Sequence, residues 1–142
     1  MALGVWIVSR VDLKKWKAVF NARAIDFAKF GRLFLHEGNW DGLQVILDEW
    51  VVESTCEDPT MDLNGYYRDL EVHEHLDGYY KYMRWGLPRN EGEYDFSAVG
   101  NHGQYIYISP QAELIIVRNG ERFGIEYDEW LHILYRFGSE DE

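Results

Sequence analysis

The feature that most constrains the fold is a pair of strand-like segments in the second half of the chain. Residues 104–109 alternate, with two tyrosines on one face and two isoleucines on the other, and residues 113–117 continue as an almost unbroken apolar run. An unbroken apolar run is typical of a strand that is covered on both faces. The short connection between the two segments predicts an antiparallel hairpin. The rest of the chain must therefore cover both faces of a small sheet.

Other segments supply more strands and the cover. Residues 79–85 and 94–99 are short, aromatic and bounded by Gly, Pro and Asn, as strands are. Residues 21–35 carry apolar side chains at helical spacing, with Asn21 as the predicted N-cap and Gly38 as the stop. A short strand is predicted at residues 44–46.

Two shorter helices complete the pattern. One should follow Asp48, with Trp50 and Val51 facing inward. The other should follow Asp128 near the end of the chain and carry an apolar stripe made of Trp130, Leu131, Leu134 and Phe137. Helices, then strands, then a helix predict an α+β fold with a small antiparallel sheet and flanking helices.

Charge and composition exclude several classes of function. The net charge is −11, and the basic residues form no concentrated patch of the kind that binds phosphate. We therefore expect no binding to nucleic acid and none to a membrane. No apolar stretch reaches the roughly 20 residues that span a bilayer. The apolar run 5–8 precedes its basic residues, unlike a signal peptide. The lone Cys56 leaves the compartment open, and the cytoplasm is the default expectation.

Three stretches together resemble the β-lactamase and penicillin-binding-protein superfamily of serine hydrolases. They are similar in particular to class C β-lactamase-related enzymes of the 6-aminohexanoate-dimer hydrolase type. In order, they are residues 21–55 with Gly38-Asn-Trp-Asp-Gly42, Tyr79-Tyr-Lys-Tyr-Met-Arg-Trp-Gly86, and Asp95-Phe-Ser-Ala-Val-Gly-Asn-His-Gly-Gln104 continuing to Arg118. The resemblance implies the C-terminal part of that fold at residues 21–138. Residues 1–20 match poorly, and residues 139–142 form an acidic tail.

The chemistry of this family needs a serine with a lysine one helical turn away, followed by a Tyr-x-Asn or Tyr-x-Ser motif. None of the five serines is followed by lysine at the third position, and no Tyr-x-Asn occurs. Tyr107-Ile-Ser109 is the sole Tyr-x-Ser, and the resemblance places it in the core. We therefore predict no catalytic nucleophile or base and a fragment that is inactive alone, the product of a truncated or split gene.

The resemblance implies where a substrate cleft would lie. It puts residues 95–98 at the cleft edge, where a backbone N–H near Ala98 would donate to an oxyanion. The candidate residues for the oxyanion hole or cleft are Ser97, Ala98, Val99 and His102, and those for the cleft wall are Tyr82 and Trp85. No cofactor is expected. His73 and His75 alternate as two metal ligands could, but the pattern offers no third ligand, so no metal site is predicted.

Three functions stay open at this point. The first is the hydrolase fragment, which would associate with an N-terminal hydrolase half or with itself, because an incomplete sheet exposes an edge and an apolar face. The second is a non-catalytic binding module that reuses the cleft wall. The third is unrelated chemistry through His73, His75 and His102.

Overall fold

The computed structural model describes residues 5–9, 22–58, 60, 78–90, 92–122 and 124–139, which form eight strands and three helices. The strands are β1 (Val5–Ser9), β2 (Asn39–Trp40), β3 (Leu43–Gln44), β4 (Tyr79–Lys81), β5 (Arg84–Pro88), β6 (Tyr94–Gly100), β7 (Gln104–Ser109) and β8 (Leu114–Asn119). The helices are α1 (Ala24–Leu35), α2 (Asp48–Thr55) and α3 (Tyr127–Phe137). None of these helices has both the length and the apolar character needed to cross a bilayer.

The six-stranded sheet has the order β1-β8-β7-β6-β5-β4, while β2 and β3 form a separate hairpin. From β4 to β8, each strand pairs with the next in antiparallel register, so the predicted α+β fold with a small antiparallel sheet is confirmed. β1 differs because it pairs with β8 in parallel. Sequence patterns alone predict no strand here, because the four-residue apolar run 5–8 has no turn beside it that would identify a neighbouring strand.

The alternation of side chains along β7 and β8 divides the core into two layers. One layer lies under α1 and α2 and contains Ala28, Phe34 and Ile115 among its buried side chains. The other lies under α3 and contains Tyr105, Tyr107, Ile116, Leu131 and Leu134. The predicted separation of the tyrosines from the isoleucines of β7 is therefore confirmed. Each fully buried side chain of this size contributes about 1.5–3 kcal/mol through its transfer out of water.

α1 packs closely on the sheet because Gly31 faces it. A Cβ atom at Gly31 would lie 2.9 Å from Cγ2 of Ile115 and 3.3 Å from Cγ2 of Ile106. α1 begins later than predicted, with Arg23 rather than Asn21 as its N-cap. The buried stripe is narrower than the sequence suggested, since Ile25 and Phe30 are exposed.

Other sequence predictions were wrong in detail. Residues 79–85 are not one strand, because a two-residue turn at Tyr82–Met83 divides them into β4 and β5. The predicted inward positions of Trp50 and Phe137 are also wrong, since these side chains are 46% and 49% exposed. Short helices leave little periodicity from which to predict the buried face, so the size and apolar character of a side chain do not by themselves predict its burial.

The start of α3 and the strands before α2 also differ from the sequence predictions. The predicted strand at 44–46 lies instead at β2 and β3. α3 begins with a capping box between Glu126 and Glu129, not with Asp128 as its cap. These shifts are small, because helix boundaries depend on backbone geometry that sequence patterns define only within a few residues.

Candidate functional site

Two turns meet at one end of the sheet, which we call the turn end. One is the Tyr82–Met83 turn between β4 and β5, and the other is the Asn101–Gly103 turn between β6 and β7. Arg84, which follows the first turn, pairs with Ala98 of β6, and β6 then runs two residues further to the second turn. The predicted cleft residues Tyr82, Ala98, Val99 and His102 therefore lie at or next to the turn end.

Ser97 lies inside the sheet rather than in an open cleft. Its side chain is fully buried, and its partners in the neighbouring strands are Trp85 and Tyr107. The Ser97 hydroxyl donates to the carbonyl oxygen of Ile106 at 3.3 Å. A buried hydroxyl that donates to a backbone carbonyl is not positioned for activation by a base, so this geometry does not favour Ser97 as a nucleophile.

Ala98 and Val99 differ in their surroundings. Ala98 has a partner in both neighbouring strands, Arg84 in β5 and Ile106 in β7. Val99 pairs with Tyr105 of β7 but lies beyond the last residue of β6 that is paired with β5. The end of β6 after Ala98 is therefore the part whose backbone is bordered by a strand on one side alone.

His102 lies exposed at the tip of the Asn101–Gly103 turn with a backbone φ of 66°. A left-handed conformation costs a residue with a side chain roughly 1–2 kcal/mol. Arg118 holds the turn in place, because its guanidinium donates to the carbonyl oxygens of Gly103 and Arg122. The same guanidinium lies 4.4 Å from the ring centroid of Trp130 in α3. Arg118 is a positioning residue that the sequence analysis missed.

The two predicted wall residues are placed differently. Trp85 is 8% exposed and packs against Tyr80, with ring centroids 4.9 Å apart, in the core layer under α3. Tyr82 is 49% exposed, and its ring lies 5.4 Å from that of Trp50. Tyr82 is thus the wall candidate that solvent reaches at the turn end.

The turn that carries Tyr82 is itself unusual. Tyr82 and Met83 have φ values of 44° and 66°. Two-residue hairpin turns with positive φ at both positions strongly prefer Asn-Gly or Gly-Gly. The bulky pair Tyr82–Met83 has none of the residues that usually indicate a turn, so the sequence pattern does not predict a turn at Met83. Strained residues with side chains are found preferentially at functional sites. Three of the six described non-glycine residues with positive φ lie in these two adjacent turns, the others being Glu37, Asp41 and Glu113, so the strain is consistent with a site at the turn end.

At the opposite end of the sheet, Arg89, Asp95 and Tyr107 form a buried polar cluster, which we call the Arg89 cluster. Asp95 is fully buried and accepts hydrogen bonds from the Tyr107 hydroxyl and from Nε of Arg89, the latter at 2.7 Å. Arg89 also donates to the carbonyl oxygen of Tyr135 at 2.7 Å and to Oγ of Ser139 at 2.8 Å. The cluster thereby fastens the C-terminal end of α3 to the sheet.

The surroundings of the Arg89 cluster raise the pKa of Tyr107 and of Arg89. Burial raises the pKa of Tyr107, and the negative charge of Asp95 together with the hydrogen bond to it adds to the increase. Burial lowers the pKa of Arg89, but the hydrogen bond and charge of Asp95 outweigh it, so the net pKa is raised. Tyr107 therefore stays a neutral donor, and its surroundings are those of a structural phenol rather than a proton shuttle.

Alkaline pH should weaken the fold through its buried tyrosines. Burial raises the pKa of Tyr79 as well as that of Tyr107. Below the pKa of about 10 that a tyrosine has in the unfolded chain, these groups make their full contribution to the free energy of unfolding. That contribution falls as the pH rises toward the higher pKa of the folded state, by up to about 1.4 kcal/mol per pH unit for each tyrosine. Urea denaturation between pH 8.5 and 11 measures this slope. Tyr107→Phe should reduce the slope above pH 10, and an unchanged slope would contradict the assignment.

No other part of the described chain forms a better site. An open pocket of about 490 Å³ lies beside the C-terminal end of α1, but Arg32 at its edge is paired with Asp41 at 2.8 Å and stacked on Trp40. Among the described residues, no three His, Cys, Asp or Glu side chains are grouped to hold a metal ion. The predicted alternation of His73 and His75 lies outside the described residues.

Comparison with known proteins extends the fold assignment. No family model matches the sequence, and no curated protein is similar enough to match it. Among solved structures, the chain is similar to a protein from Bacillus anthracis that is provisionally assigned as a 6-aminohexanoate-dimer hydrolase, with a TM-score of 0.55 and 22% identity. The match covers 84% of this chain and 28% of the hydrolase chain. The fold of this chain is therefore consistent with a fragment of a β-lactamase-like fold, and the chain spans less than a third of that protein's length.

Proposed function

We propose that this chain provides the cleft-bearing part of the sheet in a β-lactamase-related serine hydrolase and does not perform acyl transfer by itself. The observation that carries the proposal is the match of 84% of the chain to a 28% portion of a hydrolase fold. The sequence supports it, because no serine has a lysine at the third following position. The activated hydroxyl that this chemistry requires must then come from another polypeptide segment.

The turn end is the proposed contribution to the cleft. A backbone N–H of Ala98 or Val99 would serve as an oxyanion donor, which needs no particular side chain. The end of β6 after Ala98 has a neighbouring strand on one side alone, which supports a backbone N–H there as the donor. His102, exposed on a strained turn and held through Arg118, would contact the substrate, and Tyr82 would form the wall. The substrates would be esters or amides, and the missing segment would lie in an N-terminal hydrolase half.

A fluorophosphonate probe tests whether the chain is catalytic alone. Because no serine has an adjacent base, we expect no covalent labelling and no p-nitrophenyl ester hydrolysis above that of the heat-unfolded chain. A known serine hydrolase serves as the positive control, and intact mass spectrometry measures the adduct. One fluorophosphonate per folded chain would refute the proposal. Hydrolysis that a chelator abolishes would instead support metal chemistry through the histidines.

A second candidate function is a non-catalytic binding module. The half-exposed Tyr82 on a strained turn favours it, since such a side chain would serve recognition equally well without a nucleophile. Adding a hydrolase fragment that carries Ser-x-x-Lys distinguishes the two. Restored ester hydrolysis supports the hydrolase proposal, whereas ligand binding without hydrolysis supports the module.

A further inference from the structure

We propose that an apolar face with an acidic rim, formed by α2 and the β4–β5 turn, docks a cationic amphipathic helix of another polypeptide. This docking surface consists of Leu47, Trp50 and Tyr82, with Glu49 and Glu53 at its rim. The three apolar side chains are 67%, 46% and 49% exposed. Contiguous exposed apolar side chains with a polar rim are typical of sites of protein association.

The aromatic part of the surface is held in a defined arrangement. The rings of Trp50 and Tyr82 lie 5.4 Å apart at an interplanar angle of 45°. Tyr82 keeps this position with a positive φ, although Asn or Gly would occupy such a turn at lower cost. Backbone strain of this kind is found preferentially at binding and catalytic sites, so it supports a partner for the exposed ring.

The rim defines the charge of that partner. α2 contains Asp48, Glu49 and Glu53 and no basic residue. A cation of the protein itself already lies beside this rim: Nζ of Lys81 is 3.3 Å from Glu53 and 5.6 Å from the centroid of the Tyr82 ring. Glu49, one position before Trp50, interacts with the neighbouring carboxyl group of Asp48. A basic side chain of the partner would be attracted to this acidic pair and would gain both a carboxylate and an aromatic neighbour.

Charge also discriminates against other occupants. The chain has a net charge of −11, so a second copy would bring one acidic rim against another, and anionic membranes or nucleic acids would be repelled. An amphipathic helix with apolar side chains at helical spacing would place these over Leu47 and Trp50 and its Lys or Arg side chains beside Glu49. The proposal shares Tyr82 with the proposed cleft wall, but its test does not depend on hydrolysis.

Binding of a labelled peptide to the full 142-residue chain tests the proposal. The probe is a fluorescein-labelled Leu–Lys peptide of about five helical turns with leucine at helical spacing, and the control peptide has Glu in place of every Lys. Fluorescence anisotropy at low salt should show saturable binding of the Leu–Lys peptide and none of the Leu–Glu peptide. Equal binding of both peptides, or of neither, would overturn the proposal.

Variants of the chain locate the site. Trp50→Ser, and the pair Tyr82→Asn with Met83→Gly, should each weaken binding at least about tenfold, or 1.4 kcal/mol. The Asn-Gly turn should fold at least as well as the native turn, so thermal unfolding separates lost binding from lost folding. Phe137→Ser, in α3, removes an aromatic ring of similar exposure and should leave binding within about twofold of the native chain.

Charge reversal provides a second pair of variants. Glu49→Lys should weaken Leu–Lys binding about threefold or more at low salt, whereas Glu113→Lys, in the β7–β8 turn, should change it by less than about twofold. Equal effects of the two reversals would indicate attraction by net charge alone and would overturn the proposal. Dimerisation of the chain that Trp50→Ser abolishes would also overturn it, since the occupant would then be a second copy.

Discussion

Replacing Asp95 with alanine should lower the free energy of unfolding by about 3–5 kcal/mol, the range typical of a buried ion pair that loses one partner. The carboxylate is fully buried and is bound by the Arg89 guanidinium and the Tyr107 hydroxyl. Without it, Arg89 keeps its charge beside the end of α3 but loses its counterion. Urea denaturation at pH 7 measures the change.

A matched control separates the lost pair from the lost volume. The triple variant Arg89→Met, Asp95→Leu, Tyr107→Phe removes every polar group of the cluster together, and buried pairs replaced by apolar side chains of similar size are often close to neutral. It should therefore be more stable than Asp95→Ala despite two further substitutions. A loss below about 1 kcal/mol for Asp95→Ala would show that the cluster is not the fastening of α3 that its geometry indicates.

Among substitutions that add a single methyl group to the sheet, Gly86→Ala should lower the free energy of unfolding most. The ring of Tyr79 lies directly over Gly86, where a Cβ atom would fall within the ring. Tyr79 cannot move away freely, because it is 4% exposed and its hydroxyl donates to the carbonyl oxygen of Thr55 at 2.6 Å. Overpacking together with the broken hydrogen bond should cost about 3 kcal/mol or more.

Gly100→Ala is the control for Gly86→Ala. Gly100 is also a strand residue, but its added Cβ would approach Cβ of Gln104 at an ordinary 3.4 Å. It should change stability by less than about 1 kcal/mol. In the double variant Gly86→Ala, Tyr79→Ala the clash disappears, so the two substitutions should cost less together than the sum of their separate effects. Thermal unfolding of the native chain, the two single variants and the double variant measures this, and strictly additive losses would contradict the close packing of the ring.

The aromatic and β-branched patterns of β6, β7 and β8 were sufficient to predict the sheet, because each strand alternates or is covered on both faces and is bounded by turn residues. The same patterns, with the order of the three matched stretches, predicted a fragment of a β-lactamase-like fold, and the structural comparison supports that fold. The division of the chain at residues 20 and 138, the association with a hydrolase half and the roles of the cleft residues stay predictions.

The sequence by itself determined that β6, β7 and β8 form strands, that helices cover the sheet, and that no serine is paired with a lysine in the spacing that acyl transfer needs. Those properties depend on neighbouring residues and are therefore readable from local patterns. The tertiary structure alone decided that β1 joins β8 in parallel, that Tyr82 and Met83 turn the chain, and that Asp95 meets Arg89 and Tyr107 under α3. These features result from contacts between segments that are distant in the sequence, or from backbone strain that such contacts maintain. Contacts and strain of this kind leave no periodic pattern in the sequence.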